Sequence, residues 1–254
     1  MDVSGVLSIL GGGLLMGLVA WLVQRYGHRG RIEINGAVGA SCGAVMSFFA
    51  MSLAFLLVQA NTGLQDGRKN TYAESAALLE VYWSSAKLAP ADRDKVRSAI
   101  IDYTSTVISV EWPEQVEKRQ TSRLTQDKLN SVRHILTEIK PGNDTQQQAL
   151  NDTTKATLDV FKERRDRRTR VSDGLSPLLI AALFSFASIA LFYMLLIGWP
   201  KGLRYTIGLG VTGALFSFGL WLVVTMNHPY SGTIHVQPDA FVELLQRFKV
   251  LDRL

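Results

Sequence analysis

Long uncharged stretches alternate with polar stretches along the chain. Four of the uncharged stretches each exceed the ~20 residues with which an α-helix crosses ~30 Å of hydrocarbon. Long core helices of soluble proteins usually carry an ionisable stripe, whereas these stretches carry none. The pattern therefore predicts four membrane spans, at about residues 3–24, 34–57, 177–199 and 205–226.

A polar section from about residue 61 to 175 separates the second span from the third, and its apolar residues recur at helical spacing. Its first predicted helix, "NTYAESAALLEVYWSSAKL", has no proline before it, which permits one continuous helix with the second span. A second helix begins at Pro90 and repeats apolar residues at Val96, Ile100, Tyr103, Val107 and Val110. A third ends at "KPGN", and a fourth starts after Asn143 and Asp144. Alternating strand patterns are scarce, so the section is predicted to be helical.

The predicted fold class is all-α: a polytopic membrane protein with four transmembrane helices and a helical extramembrane domain between spans 2 and 3. The domain boundaries follow from the same pattern. They are a transmembrane hairpin at 1–60, the helical domain at 61–175, a second hairpin at 176–227 and a C-terminal tail at 228–254.

Charge near the spans predicts the orientation of the chain. The short linkers "RYGHRGRIE" and "PKGLR" make each pair of spans a hairpin, so the polar domain and both termini share the opposite side of the membrane. Lys and Arg near the spans number 8 on the domain side and 5 in the linkers. Because positive charge favours the cytoplasm, we expect a multi-pass protein of the inner membrane with a cytoplasmic domain and cytoplasmic termini.

The basic run "KERRDRRTR" precedes the third span in a chain whose net charge is +5. Nucleic acid is one partner that such a run suggests, but interleaved aromatic residues and a recognisable binding module are missing. A basic cluster beside a span more often marks topology or contacts anionic lipid. We therefore predict membrane lipids and no nucleic acid as partners, with these lipid-contact candidates: Arg164, Arg165, Arg167 and Arg168.

Catalytic and metal-binding patterns are missing from the sequence. The single cysteine, Cys42, lies in the second predicted span, and the four histidines are scattered. A His-Glu-x-x-His arrangement is missing. The chain is not predicted to be an enzyme, and no catalytic residue, metal site or cofactor is predicted.

The fourth span ends in "VVTMNHPYSG", a cluster of turn-forming residues. Pro229 prevents helix continuation, and Ser231 with Gly232 supplies a turn, so the motif marks the exit from the membrane. The motif is followed by a β-like "TIHVQPDAF", and this ending resembles the close of a bacterial membrane family described as bestrophin-like. That family also carries a Glu-Ala step and a later aromatic residue after its second span.

In this chain "AESAALLEVYW" stands at that place, with Ser75 where the family pattern suggests alanine. The resemblance covers nearly the whole chain in order: hairpin, helical domain, hairpin and closing motif. It assigns these family-motif positions: Glu74, Tyr82, Asn227, His228, Pro229, Ser231 and Gly232.

Bestrophins are pentameric anion channels whose second span lines the pore. The resemblance thus implies a homo-oligomeric ion channel, a pentamer conducting anions, with the pore along the second span. One seam of that span mixes hydroxyl groups with phenyl rings, which could partly replace anion hydration and form an apolar constriction. The pore-lining candidates are Ser41, Val45, Phe48, Ser52 and Phe55.

Two alternatives remain open at this stage. Gly36, Gly39, Ala40 and Gly43 would serve equally well to pack the second span closely against other helices. The whole chain would also suit a membrane-anchored interaction or sensing module that does not conduct. The spans carry no ionisable side chain of the kind that pumps keep at depth, so any transport would be passive.

Overall fold

The computed structural model describes residues 3–26, 36–172, 174–196 and 203–251. Within these ranges the chain is helical and contains no strand, which confirms the predicted all-α class. The α-helices are α1 Val3–Tyr26, α2 Gly36–Ser84, α3 Pro90–Thr106, α4 Trp112–Lys118, α5 Arg123–Glu138, α6 Asp144–Ser172, α7 Pro177–Leu196, α8 Leu203–Thr225 and α9 Asp239–Leu251. A 3₁₀ turn follows α2 at Ser85–Lys87, and a π-helical turn joins α3 to α4 at Val107–Glu111.

The chain divides into two compact units. We call Met1–Asn61 with Leu175–Asn227 the apolar unit, and Thr62–Gly174 with His228–Leu254 the polar unit. Helix α2 contributes residues to both, as the absence of a proline after the second span permitted.

Three described helices, α2, α7 and α8, are long and apolar enough to cross a membrane. In α1 the described apolar stretch is shorter, Ser4–Val19, so the count of four spans stays a prediction. The predicted linkers at 25–33 and 200–204 fall mostly outside the described residues, as do the start of the second predicted span and the end of the third.

Small residues bring α1 and α8 together within the apolar unit. A Cβ atom at Gly12 would lie 2.3 Å from Cβ of Ser217, and one at Gly213 would lie 2.4 Å from Cβ of Met16. The hydroxyl groups of Ser8 and Ser217 lie 3.2 Å apart at the same contact. The backbones can therefore approach only because these positions lack side chains.

A single apolar core holds the polar unit together. It is built from the C-terminal half of α2, from α3 to α6 and from α9, and its fully buried members include Leu78, Val96, Ile100, Val132, Val160 and Phe241. The β-like reading of "TIHVQPDAF" is wrong, because α9 begins at Asp239 within it. Phe241, Leu244 and Phe248 recur at helical spacing and are all buried, so a helix places them together in the core.

The helix boundaries in the polar unit follow local chemistry. Pro90 stands in the first turn of α3 as predicted, and the side-chain oxygen of Asn143 accepts the Gln146 N–H at 2.9 Å before α6. The predicted third helix is two helices. Arg119 adopts a left-handed conformation with φ of 55°, which ends α4 before α5 begins.

Candidate functional site

Four charged side chains lie in the core of the polar unit. Glu74, Glu111 and Arg167 are 0% exposed and Arg164 is 1% exposed. Removing such charges from water is costly unless each is paired and hydrogen-bonded. We call these four residues together with Tyr103 the buried charge network.

Arg167 joins the two carboxylates of the network. Its Nε donates to Oε2 of Glu74 at 2.6 Å, and its Nη2 donates to Oε1 of Glu111 at 2.9 Å. Nη2 also lies 3.3 Å from Oε1 of Glu74. One guanidinium therefore bridges acids that come from α2 and from the α3–α4 junction.

Arg164 forms a two-point contact with Glu111. Its Nη2 donates to Oε2 at 2.6 Å and its Nη1 donates to Oε1 at 3.2 Å, the fork geometry that makes arginine–carboxylate pairs strong. Nη1 also donates to the Tyr103 hydroxyl at 2.8 Å, and that hydroxyl donates to Oε1 of Glu74. The five side chains thus form a closed ring of hydrogen bonds.

Local backbone structure places each member of the network. Arg164 and Arg167 are three residues apart on α6 and so share one face of the helix. Glu111 is the last residue of the π-helical turn, a widened turn of the kind often found at functional sites. The rings of Trp112 and Phe241 flank the Arg167 guanidinium, with their centroids 5.6 and 5.5 Å from Cζ.

The electrostatics favour the ionised forms of Glu111, Arg164 and Arg167. Burial disfavours the charged form of Glu111, but the guanidiniums of Arg167 and Arg164 outweigh it and hold the pKa of this carboxyl below its usual value. Burial would likewise lower the pKa of Arg167, yet the charges of Glu74 and Glu111 raise it well above the usual value. Burial and the charge of Glu74 raise the pKa of Tyr103, so the phenol keeps its proton and donates it.

The network joins helices rather than presenting a reactive group. The Glu111 carboxylate accepts from Arg164, Arg167 and also Gln115, whose Nε2 lies 2.9 Å from Oε1. A carboxylate so fully engaged is a poor general base. What the arrangement does is fix α2, the α3–α4 junction and α6 in one mutual position.

The structure places residues of both predicted family motifs around the core of the polar unit. Glu74 belongs to the buried charge network, and Trp112 contacts both Arg167 and the buried ring of Tyr230 from "NHPYSG". The Tyr230 hydroxyl donates to the carbonyl of Gly67 at 2.7 Å. Segments far apart in sequence thus meet around one indole ring.

The remaining motif residues make turn contacts. The Asn227 side chain accepts the Leu175 N–H at 2.6 Å, and the Pro229 carbonyl accepts the Val236 N–H at 2.8 Å. The Ser231 hydroxyl accepts a hydrogen bond from Nε of Arg119 at 3.2 Å. The His228 carbonyl accepts the Ser231 N–H at 3.3 Å. Gly232 adopts a positive φ of 90°. The motif therefore forms a folded turn, in line with the turn residues of the sequence.

Tyr82 packs in the same apolar core. Its ring stacks on Phe248, with centroids 5.1 Å apart, and the Arg97 guanidinium lies 3.8 Å from its centroid.

The lipid-contact prediction needs correction for two of its four residues. Arg164 and Arg167 are buried in ion pairs with Glu111 and Glu74, so their guanidiniums do not face the surroundings. Arg165 and Arg168, on the other face of α6, are exposed. Helical periodicity therefore divides these four arginines into two buried and two exposed cations.

The pore-lining candidates lie on α2 within the apolar unit. Phe48 and Phe55 are 57% and 54% exposed, Ser41 is exposed, and Val45 and Ser52 are half-buried. The neighbouring Phe49 is only 5% exposed and stacks on Phe216 with centroids 4.1 Å apart. The seam thus borders the face that packs on the chain's own helices.

Sequence reasoning missed Glu111, assigned Tyr103 only to an apolar face and assigned Arg164 and Arg167 to lipid. A usable signal was present, because each of these residues continues the three- and four-residue spacing of buried apolar positions on its helix. Within the described part of the chain, no group of three His, Cys, Asp or Glu side chains is arranged to hold a metal.

Comparison with known proteins supports the family assignment. The sequence model of the Bestrophin-like domain matches residues 14–241, a range that includes the whole buried charge network and "NHPYSG". No curated protein and no solved structure matched the chain. Apolar helices of spanning length together with this match identify a membrane protein, and the chain belongs to the Bestrophin-like domain family.

Proposed function

We propose that the protein is one subunit of a homo-oligomeric channel that conducts anions through a pore lined by α2. The observation that carries this proposal is the exposure of Phe48 and Phe55 beside a well-packed Phe49 on the same helix. The helices of the same chain cover one side of α2, and the two phenyl rings are left largely uncovered. Additional copies of the chain, arranged around an axis, would enclose them in a central pore.

The chemistry of the seam suits a passive anion pathway. Ser41 and Ser52 offer hydroxyl donors, and Phe48 with Phe55 supplies bulky apolar groups that can gate by excluding water. The seam carries no charged side chain, so ions would cross without a protonation cycle. By family resemblance we propose five subunits.

Conduction by purified protein in planar bilayers tests the proposal. We expect unitary anion currents from the wild type, and Phe48→Ala or Phe55→Ala should raise the current or weaken its gating, because the water-repelling ring widens. Phe192→Ala is the matched control, since Phe192 lies on α7 and is 59% exposed. It should leave the current unchanged.

Two results would contradict the channel proposal. Equal changes in Phe192→Ala and Phe48→Ala would show that the seam is misplaced. A silent bilayer, together with a monomer or dimer in detergent, would favour the membrane-anchored interaction module. That alternative draws support from the polar unit, which has its own core and its own buried charge network.

We also propose that the polar unit faces the cytoplasm, on the strength of the basic residues near the spans. Ser131→Cys in a Cys42→Ala background tests this, because Ser131 is exposed on α5. An impermeant thiol reagent should fail to label it in intact cells and should label it after permeabilisation. Labelling in intact cells would reverse the orientation.

A further inference from the structure

Two exposed arginines of the basic run line a cavity in the polar unit. The cavity has a volume of about 600 Å³, within the range of small-molecule sites. Arg119 reaches it from the end of α4, and Arg165 with Arg168 reaches it from α6. Its polar lining residues are Arg119, Gln120, Thr121, Arg165, Arg168 and Thr169.

The charge of this cavity is not balanced. The other cations of the run lie close to carboxylates: Arg164 and Arg167 pair with the buried acids, Arg170 lies 3.3 Å from Asp66, and Lys162 lies 3.4 Å from Glu163. Among the described residues, Arg119, Arg165 and Arg168 form no ion pair, and no acidic residue lines the cavity.

Neutral acceptors hold two of the three arginines. Nε of Arg119 donates to the Ser231 hydroxyl at 3.2 Å, and Nη1 of Arg168 donates to Oε1 of Gln126 at 3.4 Å. These contacts orient the guanidiniums without neutralising them. Pre-oriented arginine forks are the groups that bind the oxygens of a phosphate most effectively.

We propose that this cavity, the arginine pocket, binds a phosphate group. The three guanidiniums supply charge-assisted donors, and Thr121 with Gln120 supplies neutral ones around the same space. The phosphate can come from a phospholipid headgroup or from a free phosphate compound. The residues of this cavity belong to the polar unit, whereas the pore candidates belong to the apolar unit.

Titration calorimetry of the full-length protein in a neutral detergent tests the arginine pocket. Inorganic phosphate and a short-chain phosphatidic acid are the two probes. We expect at least one to bind the wild type, and Arg165→Gln with Arg168→Gln to weaken its affinity by about tenfold or more. Phosphatidic acid binding alone would identify a lipid headgroup as the source, whereas equal affinities would identify free phosphate.

Two further variants make the test specific. Arg133→Gln with Arg247→Gln removes the same charge from exposed positions outside the pocket and should leave the affinity unchanged. Arg119→Asn should weaken binding, because it removes one of the three guanidiniums. Asparagine tolerates the left-handed backbone at this position, so the turn after α4 should be kept. All variants alter exposed side chains, so their thermal unfolding midpoints should match the wild type.

The proposal is overturned if neither probe binds the wild type, or if the control pair weakens binding as much as the pocket pair. It is also overturned if Arg119→Asn leaves the affinity unchanged, because the site would then not span α4 and α6.

Discussion

The two units of this chain fix their helices in opposite ways. In the apolar unit, α1 and α8 meet where side chains are missing, at Gly12 and Gly213. In the polar unit, α2 and α6 meet through Arg167 and Glu74, a long cation and a long anion with no exposed surface. The first contact depends on empty space, and the second depends on paired charge.

The difference follows from the surroundings of each unit. Lipid is as apolar as the helices themselves, so close packing and polar contacts hold membrane helices together where burial cannot. In water, burial of apolar groups already drives the polar unit to fold, and charged pairs can then select one arrangement of its helices. The polar unit should therefore lose the most stability when side-chain atoms are removed, and the apolar unit should lose the most when side-chain atoms are added.

The largest effect is expected from Arg167→Met, which leaves Glu74 and Glu111 buried without their shared cation. Breaking a buried pair in this way costs about 3–5 kcal/mol in the free energy of unfolding. Hydrogen exchange of α3 and α6 peptides should rise strongly, and exchange of α8 peptides should stay unchanged. Arg168→Met, an exposed neighbour on the same helix, is the control and should change little.

If Arg167→Met is tolerated as well as Arg168→Met, paired charge does not fix the helices of the polar unit. Replacing Glu74, Glu111, Arg164 and Arg167 together by apolar residues of similar size should recover much of the lost stability, because no charge then stays unpaired.

A smaller effect is expected from Gly213→Ala in α8. The added Cβ would lie 2.4 Å from Cβ of Met16, and overpacking of this kind costs about 1–3 kcal/mol. Gly208→Ala is the matched control, because it lies on the same helix and its Cβ would meet nothing within 4 Å. Thermal unfolding in detergent should separate the two, and equal midpoints would show that the close contact does not limit the stability of the apolar unit.

Helical periodicity made most of the polar unit predictable from sequence. The apolar spacing of Val96, Ile100, Tyr103, Val107 and Val110 predicted one buried face. The first four side chains, on α3 and the start of the π-helical turn, are 0% exposed, and Val110 is half-buried. The proline at the start of α3 and the Asn143 cap of α6 were equally readable, since each acts within one turn of chain. Helix ends that carry no proline or glycine could not be predicted from the sequence. Arg119 ends α4 with a left-handed backbone that few arginines adopt.

The buried charge network was harder to predict because charge normally marks an exposed face. Arg164 and Arg167 continue the buried spacing of Ala156 and Val160 on α6, and Glu111 continues that of Val107. The spacing indicates that a charged side chain at such a position is buried. It does not identify the partner, because the partner lies on a helix far away in the sequence. Pairing between helices depends on tertiary packing, which overrides the local preferences that one sequence displays.

Acid should weaken the polar unit through Glu111. Its pKa is lower in the folded state than its usual value, so its contribution to stability is complete above the usual glutamate pKa. That contribution is lost as the pH falls from there through the folded-state pKa. Urea unfolding between neutral and acid pH should show a smaller acid-dependent loss for Glu111→Gln, which lacks this titration. Glu117→Gln, which removes an exposed carboxylate of α4, is the matched control.

The smallest effect compares one serine hydroxyl in each unit. Ser75 donates to the Ala240 carbonyl at 2.9 Å in the core of the polar unit, whereas Ser217 contacts Ser8 at 3.2 Å between α1 and α8. Ser75→Ala should cost about 1 kcal/mol, the usual net value of a buried hydrogen bond in a water-soluble core. Ser217→Ala should cost only about 0.6 kcal/mol, since polar groups in membranes find other partners when a contact opens. Hydrogen exchange of α9 and of α1 reports the two losses separately. If Ser217→Ala proves the costlier change, hydroxyl contacts rather than the absence of side chains at Gly12 and Gly213 hold α1 against α8.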